Sequence, residues 1–433
     1  MNNGCNIAFL HPDLGIGGAE RLIVDAAVSL KSAGHKVCIY TSRHDPKRSF
    51  KETHNGQLDI HVRGNVFPRS IGNRFMVICA MIRNILAALS IIAHQWKYAY
   101  SPEKRYQMVI IDQISASIPL FKLLTPSTKI LFYCHFPDKL LSIRNSWIKS
   151  VYRLPIDYFE EFTTSFADQI LVNSNFTRGI FKKSFKFIKK VPSVLYPPLN
   201  TDEFLKLSEK TPQYSALPKS LEGRVPETKK NIILSINRFE RKKNLPLAIE
   251  SFSILLQKLL DQDLVDEIAH CHLVIAGGYD PDLRENVEHL RELQDMVTQK
   301  QLSDKVSFVC SFNEQERSWL LNNCLCMVYT PSFEHFGITP LEGMFSLKPV
   351  VAVNSGGPIE TVLNDSTGYL CEPLAPTFAT ALYQLVSDKQ KTIQFGNNGR
   401  KWVEKNFSLK SFTVELNKIV LSTLGKIQFK KID

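Results

Sequence analysis

The chain has 433 residues, 44% of them hydrophobic and 22% charged, with a formal net charge of +11. That length exceeds one ordinary core and points to two domains of about 200 residues each. The balanced composition, without low-complexity tracts or short repeats, excludes a disordered or fibrous protein. The positive charge favours an anionic partner such as a nucleotide diphosphate, a membrane surface or nucleic acid.

Asn6–His11 reads as a short buried strand, Pro12–Gly18 as a glycine-bearing loop and Ala19–Ala33 as a helix. Within that helix Leu22, Ile23, Ala26, Ala27 and Leu30 recur at helical spacing. Gly34 stands at the C′ position, and Lys36–Thr41 resumes a strand, which completes a βαβ unit. Met108–Asp112, Ile130–Cys134 and Gln169–Asn173 are further parallel-strand candidates separated by helical sequence. A second α/β set follows, with strands at Asn231–Ile236, His272–Ala276, Val306–Cys310, Cys326–Tyr329 and Val350–Val353. The final stretch, Leu409–Gln428, is amphipathic, with Phe412, Leu416, Ile419, Val420 and Leu424 on one side.

The expected domains are therefore 1–205, a linker at 206–230 that lacks periodicity and holds Pro212, Pro218, Gly223 and Pro226, and 231–408. The C-terminal helix, about 409–433, is expected to pack back on the first domain. Nine cysteines with no C-x-x-C pair give neither a zinc site nor a disulfide framework and suit a reducing compartment. The N-terminus has no basic region followed by an apolar core, so a cleaved signal peptide is not expected.

Phe75–Ala93 is almost continuously apolar but carries Arg83 and Asn84 at its middle. A bilayer span needs about 20 apolar residues, and a central Arg costs at least about 2.5 kcal/mol. A spanning helix stays open as the lesser alternative to a buried helix or a membrane-surface helix, the last supported by Arg63, Arg69, Arg74 and Lys97 nearby. Ile143–Tyr152 mixes Trp147, Ile148, Val151 and Tyr152 with Arg144, Lys149 and the adjoining Arg153. It suits either a headgroup surface or the solvated face of an ordinary helix.

Four loops after predicted strands carry chemistry. Gly15-Ile-Gly-Gly18 lets backbone N–H groups approach a phosphate at a helix start, or merely turns the chain. His135 follows the strand ending at Cys134, where an open α/β sheet faces its ligand. Arg238 and Lys243 are five positions apart across a turn, so a planar fork and a point charge can converge on one diphosphate. Glu334 and Glu342 flank a glycine loop that runs into a helix. There Thr339, Pro340 and Glu342 fit the N-cap, N1 and N3 positions of a capping box, so Glu342 is either a cap or a ligand for sugar hydroxyls. Gly357-Pro358 reads as another helix start facing the same ligand.

With its Glu-x7-Glu, Arg-x4-Lys and N-terminal Gly-Gly motifs, the sequence resembles the retaining GT-B glycosyltransferases of family 4 over essentially its whole length. His11-Pro-Asp-Leu-Gly-Ile-Gly-Gly-Ala-Glu-Arg21, Cys134-His-Phe-Pro-Asp138 and Phe333-Glu-His-Phe-Gly-Ile-Thr-Pro-Leu-Glu342 look like the eukaryotic α-1,3/1,6-mannosyltransferases of lipid-linked oligosaccharide assembly. The resemblance implies an α/β GT-B fold, two Rossmann-like doubly wound domains facing across a cleft, acceptor-binding first and donor-binding second. It implies GDP-mannose as donor and a dolichol-diphosphate-linked oligosaccharide as acceptor. Mannose would be added α-1,3 and then α-1,6 with retention, in N-glycan precursor assembly. Location on the cytosolic face of the endoplasmic reticulum membrane, and association with other enzymes of the pathway, are implied as well.

Carried over by position, Glu342 would bind the nucleotide ribose and Glu334 the donor sugar on its reacting side. Arg238 and Lys243 would stabilise the departing diphosphate. Gly17 and Gly18 would give close backbone contact, and Phe336, Gly337 and Ile338 would join the donor site. His135 would touch the mannose near its anomeric carbon. Glu334, His135, Lys243 and Arg238 form the implied catalytic set. No cofactor or metal is expected, since two cations take the metal's part. The D-x-D matches at Asp261–Asp263 and Asp280–Asp282 are read as surface segments away from the central strand ends. A nucleic-acid partner is not expected, because the basic residues are dispersed and lack interleaved stacking aromatics.

Overall fold

The structure is a computed structural model and describes residues 4–72, 74–141, 147–210, 216–226 and 230–426. It divides into two units, one holding the chain up to Pro198 together with the segment from Leu409, the other Leu199–Ser408.

In the first unit the strands are β1 (Asn6–His11), β2 (Lys36–Thr41), β3 (Asp59–Val62), β4 (Met108–Asp112), β5 (Lys129–Cys134), β6 (Gln169–Val172) and β7 (Ser193–Val194). They form one parallel sheet in the order β3-β2-β1-β4-β5-β6-β7. Its helices are α1 (Gly18–Ser32), α2 (Met76–Lys97), α3 (Ile118–Leu124), α4 (Asp138–Leu141), α5 (Trp147–Ser165) and α6 (Asn175–Ser184). The central strands are buried on both faces, which is why they read as near-continuous apolar runs. Along β1 the side chains alternate, Ile7 and Phe9 packing toward α1 while Ala8 and Leu10 pack toward α2.

The second unit holds α7 (Thr201–Lys210), α8 (Leu245–Asp261), α9 (Val265–His270), α10 (Arg284–Gln299), α11 (Glu314–Asn323), α12 (Ile338–Phe345), α13 (Pro358–Thr361), α14 (Ala375–Ser387) and α15 (Lys389–Asn406). Its strands β8 (Asn231–Ile236), β9 (Cys271–Gly277), β10 (Val306–Cys310), β11 (Cys326–Tyr329), β12 (Val350–Val353) and β13 (Gly368–Cys371) pair in the order β10-β9-β8-β11-β12-β13, all parallel. Each unit thus carries a 3-2-1-4-5-6 order, with its reversal beside the first strand, where such sheets bind ligands. The final helix, α16 (Leu409–Thr423), belongs to the first unit. Phe412, Leu416, Ile419 and Val420 enter the core beside α1, and Asn417 and Thr413 bond to His35 and Ser29. Residues 427–433 of the expected C-terminal helix lie outside the described residues.

Three expectations shift. The first unit ends at Pro198, not 205, because α7 packs into the second unit. Phe204 meets the Phe345 ring edge-on at 6.1 Å and lies 4.9 Å under the Arg317 guanidinium. The expected linker is partly built as well: Leu221 and Val225 are buried around a short 3-10 turn at Lys219–Leu221, while 211–215 and 227–229 lie outside the described residues. The long apolar segment is α2, packed by Ala87, Ala88, Ile91 and Ile92 against the sheet. Asn84 is buried and Arg83 donates to the Ser42 carbonyl at 2.6 Å. By length and composition α2 could cross a membrane. With one side committed to the sheet, it is a half-buried wall of the first unit.

Candidate functional site

In the second unit the loops after β8 and β11 meet at the strand-order reversal. Beyond Ile236 the chain passes so close to the end of β9 that a Cβ on Gly277 would stand 1.7 Å from the Asn237 carbonyl oxygen. The loop leaves Arg238 exposed, held to Glu240 at 2.7 Å, and carries Lys243 under cover, 9% exposed. Asn244 turns the chain in left-handed backbone at φ 50°, and the Thr330 hydroxyl donates to the Lys243 carbonyl at 2.7 Å, which ties this loop to the end of β11. Lys243 Nζ then meets Glu334 Oε1 at 2.5 Å. The sequence-predicted pair Arg238 and Lys243 therefore separates, one cation at the surface and one already neutralised by the predicted sugar carboxylate.

Gly356 and Gly357 form the floor under Glu334. Gly356 has φ 67°, and a Cβ on it would lie 2.5 Å from the Glu334 carbonyl oxygen; on Gly357, 2.1 Å from that of Phe336. The Gly357 N–H donates to the Glu334 carbonyl at 2.8 Å. Tyr329, buried at the end of β11, hydrogen-bonds the Glu334 side chain. Burial first, and then the Glu334 charge, push its hydroxyl well above the ordinary range, so it stays a neutral donor. Tyr329 was missed by sequence reasoning, and its place at a strand end was the available signal.

The capping box expected at Thr339 does not form. The helix starts at Ile338 behind Gly337, which takes φ 80° against the Tyr329 ring, so Thr339 is already the second helical residue. Glu342 lies inside α12, buried, and its carboxylate turns to Arg317 at 3.1 Å. Burial raises its pKa and Arg317 opposes this. Of the other predicted donor contacts, Phe336 buries its ring 6.0 Å from Phe407 and has only backbone to offer. Gly337 and Ile338 stand where helical N–H groups have no partner within the helix. Gly357 precedes α13 as expected. Asp261 lies at the far end of α8, but Asp280 follows β9 at the carboxyl edge, against the expectation that both D-x-D matches avoid it. There its carboxylate accepts the Asp282 N–H at 2.9 Å and serves the turn.

In the first unit β1, β4 and β5 are neighbours, and their carboxyl ends bring His11, Asp112 and His135 together. Asp112 is fully buried, 2.8 Å from His11 Nδ1 through one oxygen and 2.8 Å from His135 Nε2 through the other. The second contact is bent away from hydrogen-bond geometry. Burial alone would raise the Asp112 carboxyl, but His135 and His11 overturn that and hold it below the usual range. A buried carboxylate thus sits between two imidazoles. Sequence reasoning found His135 and missed His11 and Asp112, although both close predicted strands. Gly17 and Gly18 open α1, Gly18 with nothing within 4 Å of an added Cβ. Glu20 in that first turn stands 4.0 Å from His11 Nε2. A cavity of about 270 Å³ lies beside this turn, lined by residues that include Asp13, Glu20, Arg43 and Arg48.

Models of two families match the chain, Glycosyltransferase Family 4 over residues 16–203 and Glycosyl transferases group 1 over 219–402. It is 55% identical over 418 residues to alpha-1,3/1,6-mannosyltransferase ALG2 of Dictyostelium discoideum, covering 96% of this chain and 97% of that one. This chain belongs to the alpha-1,3/1,6-mannosyltransferase ALG2 family. The human and Saccharomyces cerevisiae members are 43% and 38% identical, covering 97% of this chain in each case and 96% and 85% of theirs. Among solved structures, a glycosyltransferase from Rickettsia africae superposes with a TM-score of 0.71 at 20% identity, covering 98% of this chain and 100% of that one. Sucrose-phosphate synthase from Thermosynechococcus elongatus gives 0.69 at 19% identity, with coverage of 98% and 100%. At such identities the likeness concerns fold, and the fold is GT-B.

Proposed function

We propose that this chain is the α-1,3/1,6-mannosyltransferase of N-glycan precursor assembly, taking mannose from GDP-mannose to a dolichol-diphosphate-linked acceptor on the cytosolic face of the endoplasmic reticulum. The observation that carries the mechanism is the Lys243–Glu334 pair at the carboxyl edge of the second unit, in a chain of the α-1,3/1,6-mannosyltransferase family. A diphosphate entering there draws Lys243 and Arg238 to its oxygens, and the leaving group's growing charge is stabilised where the transition state needs it. Released from Lys243, Glu334 is free to hold the sugar. Glu342 meets Arg317 through one carboxylate oxygen, and its other oxygen is assigned to the ribose hydroxyls. Asp112 fixes the ring of His135, which is assigned to the mannose near its anomeric carbon. With two cations on the diphosphate, transfer needs no divalent metal.

Product linkage analysis after incubating purified protein with GDP-mannose and the lipid-linked trisaccharide is the test. An α-1,3 product that becomes α-1,3/α-1,6 supports the reading, and transfer from a UDP-sugar instead sinks it. Loss of activity in EDTA would remove the metal-free step.

A further inference from the structure

Helix α5 is inside out. Trp147, Val151, Leu154, Tyr158 and Phe162 recur at helical spacing and are 53–76% exposed. Its ionisable residues face the other way: Arg153, Asp157 and Glu161 are buried and Glu160 partly so. Among the described side chains of this helix, no charged one is exposed. A helix that faces water shows the opposite arrangement, and an apolar patch of this kind marks an interaction site.

The inward charges are used for fastening. Arg153 holds Asp138 at 2.7 Å and Asp157 at 3.1 Å. Glu160 accepts the N–H groups of Asp138 and Lys139, where α4 begins, and Glu161 accepts that of Phe187 at 2.5 Å. The elements so held extend the apolar face, with Leu140 and Leu141 on α4 and Phe187 all at least half exposed. Phe75, ahead of α2, adds to it through an edge-on contact with Tyr152 at 6.0 Å. Around Phe187 the exposed lysines Lys182, Lys183, Lys186 and Lys189 form a basic rim.

We propose that this face of the first unit docks on a lipid bilayer with anionic headgroups, its aromatic and aliphatic side chains entering the interface and the lysines meeting lipid phosphates. Trp and Tyr suit that boundary because one end is apolar and the other polar, and lysines draw the helix to an anionic surface. A second copy fits less well, since pairing through this face would crowd two identical lysine clusters. The α4 end of the patch begins three residues beyond His135, at the sheet edge where a lipid-anchored acceptor must present its sugar. In that respect the inference rests on the lipid-bound acceptor proposed above.

The test is sedimentation of the full chain with phosphatidylcholine vesicles, with and without phosphatidylinositol, in the absence of nucleotide sugar. Binding to both is expected, stronger with the anionic lipid. A Leu154→Gln, Tyr158→Gln, Phe162→Gln triple variant should lose at least roughly tenfold on both. Replacing Lys182, Lys183, Lys186 and Lys189 by Gln should remove only the phosphatidylinositol increment. All replaced side chains are exposed, so melting temperature should hold, as should transfer to a short-prenyl acceptor in solution. If the triple variant melts early, Trp147→Gln carries the comparison with an expected loss of roughly threefold. Vesicle binding by a folded variant equal to the parent overturns the proposal. So does a parent dimer that the variant converts to monomer, which assigns the face to a second copy. If the parent binds vesicles but does not transfer mannose, docking stands and the functional reading falls.

Discussion

At the carboxyl edge of the first unit one carboxylate, Asp112, lies fully buried between two imidazoles. In the second unit two carboxylates, Glu334 and Glu342, each meet a single cation, and Glu334 keeps 26% of its side chain exposed. The cluster is assembled at the ends of three neighbouring strands, with His11 and Asp112 buried and His135 partly exposed. Lys243 and Glu334 stand on the loops after β8 and β11, whereas Glu342 and Arg317 stand on α12 and α11. On the function proposed above, the first-unit cluster would orient the acceptor side and the second-unit pair would respond to the donor, a contrast that can be tested.

The strongest way to break that contrast is Lys243→Ala or Glu334→Ala. Either should cut transfer by about a hundredfold or more with the melting temperature little changed, read by GDP-mannose turnover beside a thermal melt. Asp112→Asn should do both kinds of damage, slowing transfer by about a hundredfold through misplacement of His135 and destabilising the first unit by about 3 kcal/mol. Because the Asp112 carboxyl lies below its ordinary pKa when folded, its stabilisation is complete above the unfolded value of about 3.9 and fades as pH falls through the folded one. Melts from pH 3 to 7 should therefore show parent and variant converging only at the acid end; a constant gap would contradict the ionised clamp.

Glu160 runs the other way. Burial pushes its carboxyl up to about 7, against the two backbone N–H groups that pull it down. The folded state then holds a proton that the unfolded chain has released, so stability falls as pH rises from about 4.3 toward 7. Glu160→Gln should flatten that slope, and an unchanged profile would contradict the shift. The smallest effect sharpens the second unit. Thr339→Ala should cost less than about 0.5 kcal/mol, since the residue is not a cap, whereas Arg317→Ala should cost about 2 kcal/mol by stranding buried Glu342. Equal losses in urea melts would restore the capping box.

Much of this was legible beforehand. Strands such as Asn6–His11 and Asn231–Ile236 are apolar runs bounded by turn residues, so their ends could be read to the residue. The two edge strands of the first sheet could not: β3 is only half-buried, β7 has two residues, and neither carries a continuous run, whereas β10 at an edge of the second sheet could. The helix start at Ile338 was misplaced because Gly337 answers to Tyr329, a neighbour no local pattern names. His11 and Asp112 are 101 positions apart, and their meeting follows from strand order.

Alternation of elements, the spacing of Glu334 from Glu342 and of Arg238 from Lys243, and the apolar period of α5 are properties of the chain itself, since they follow from local backbone geometry. Tertiary structure alone decided that Lys243 reaches Glu334, that Arg317 takes Glu342, and that Asp112 is clamped. Those contacts depend on which parallel strands lie side by side, and crossover connections set that order over long stretches of chain. It also decided which side of α5 meets the core: a period shows that a helix has two faces, and only its neighbours choose the charged one.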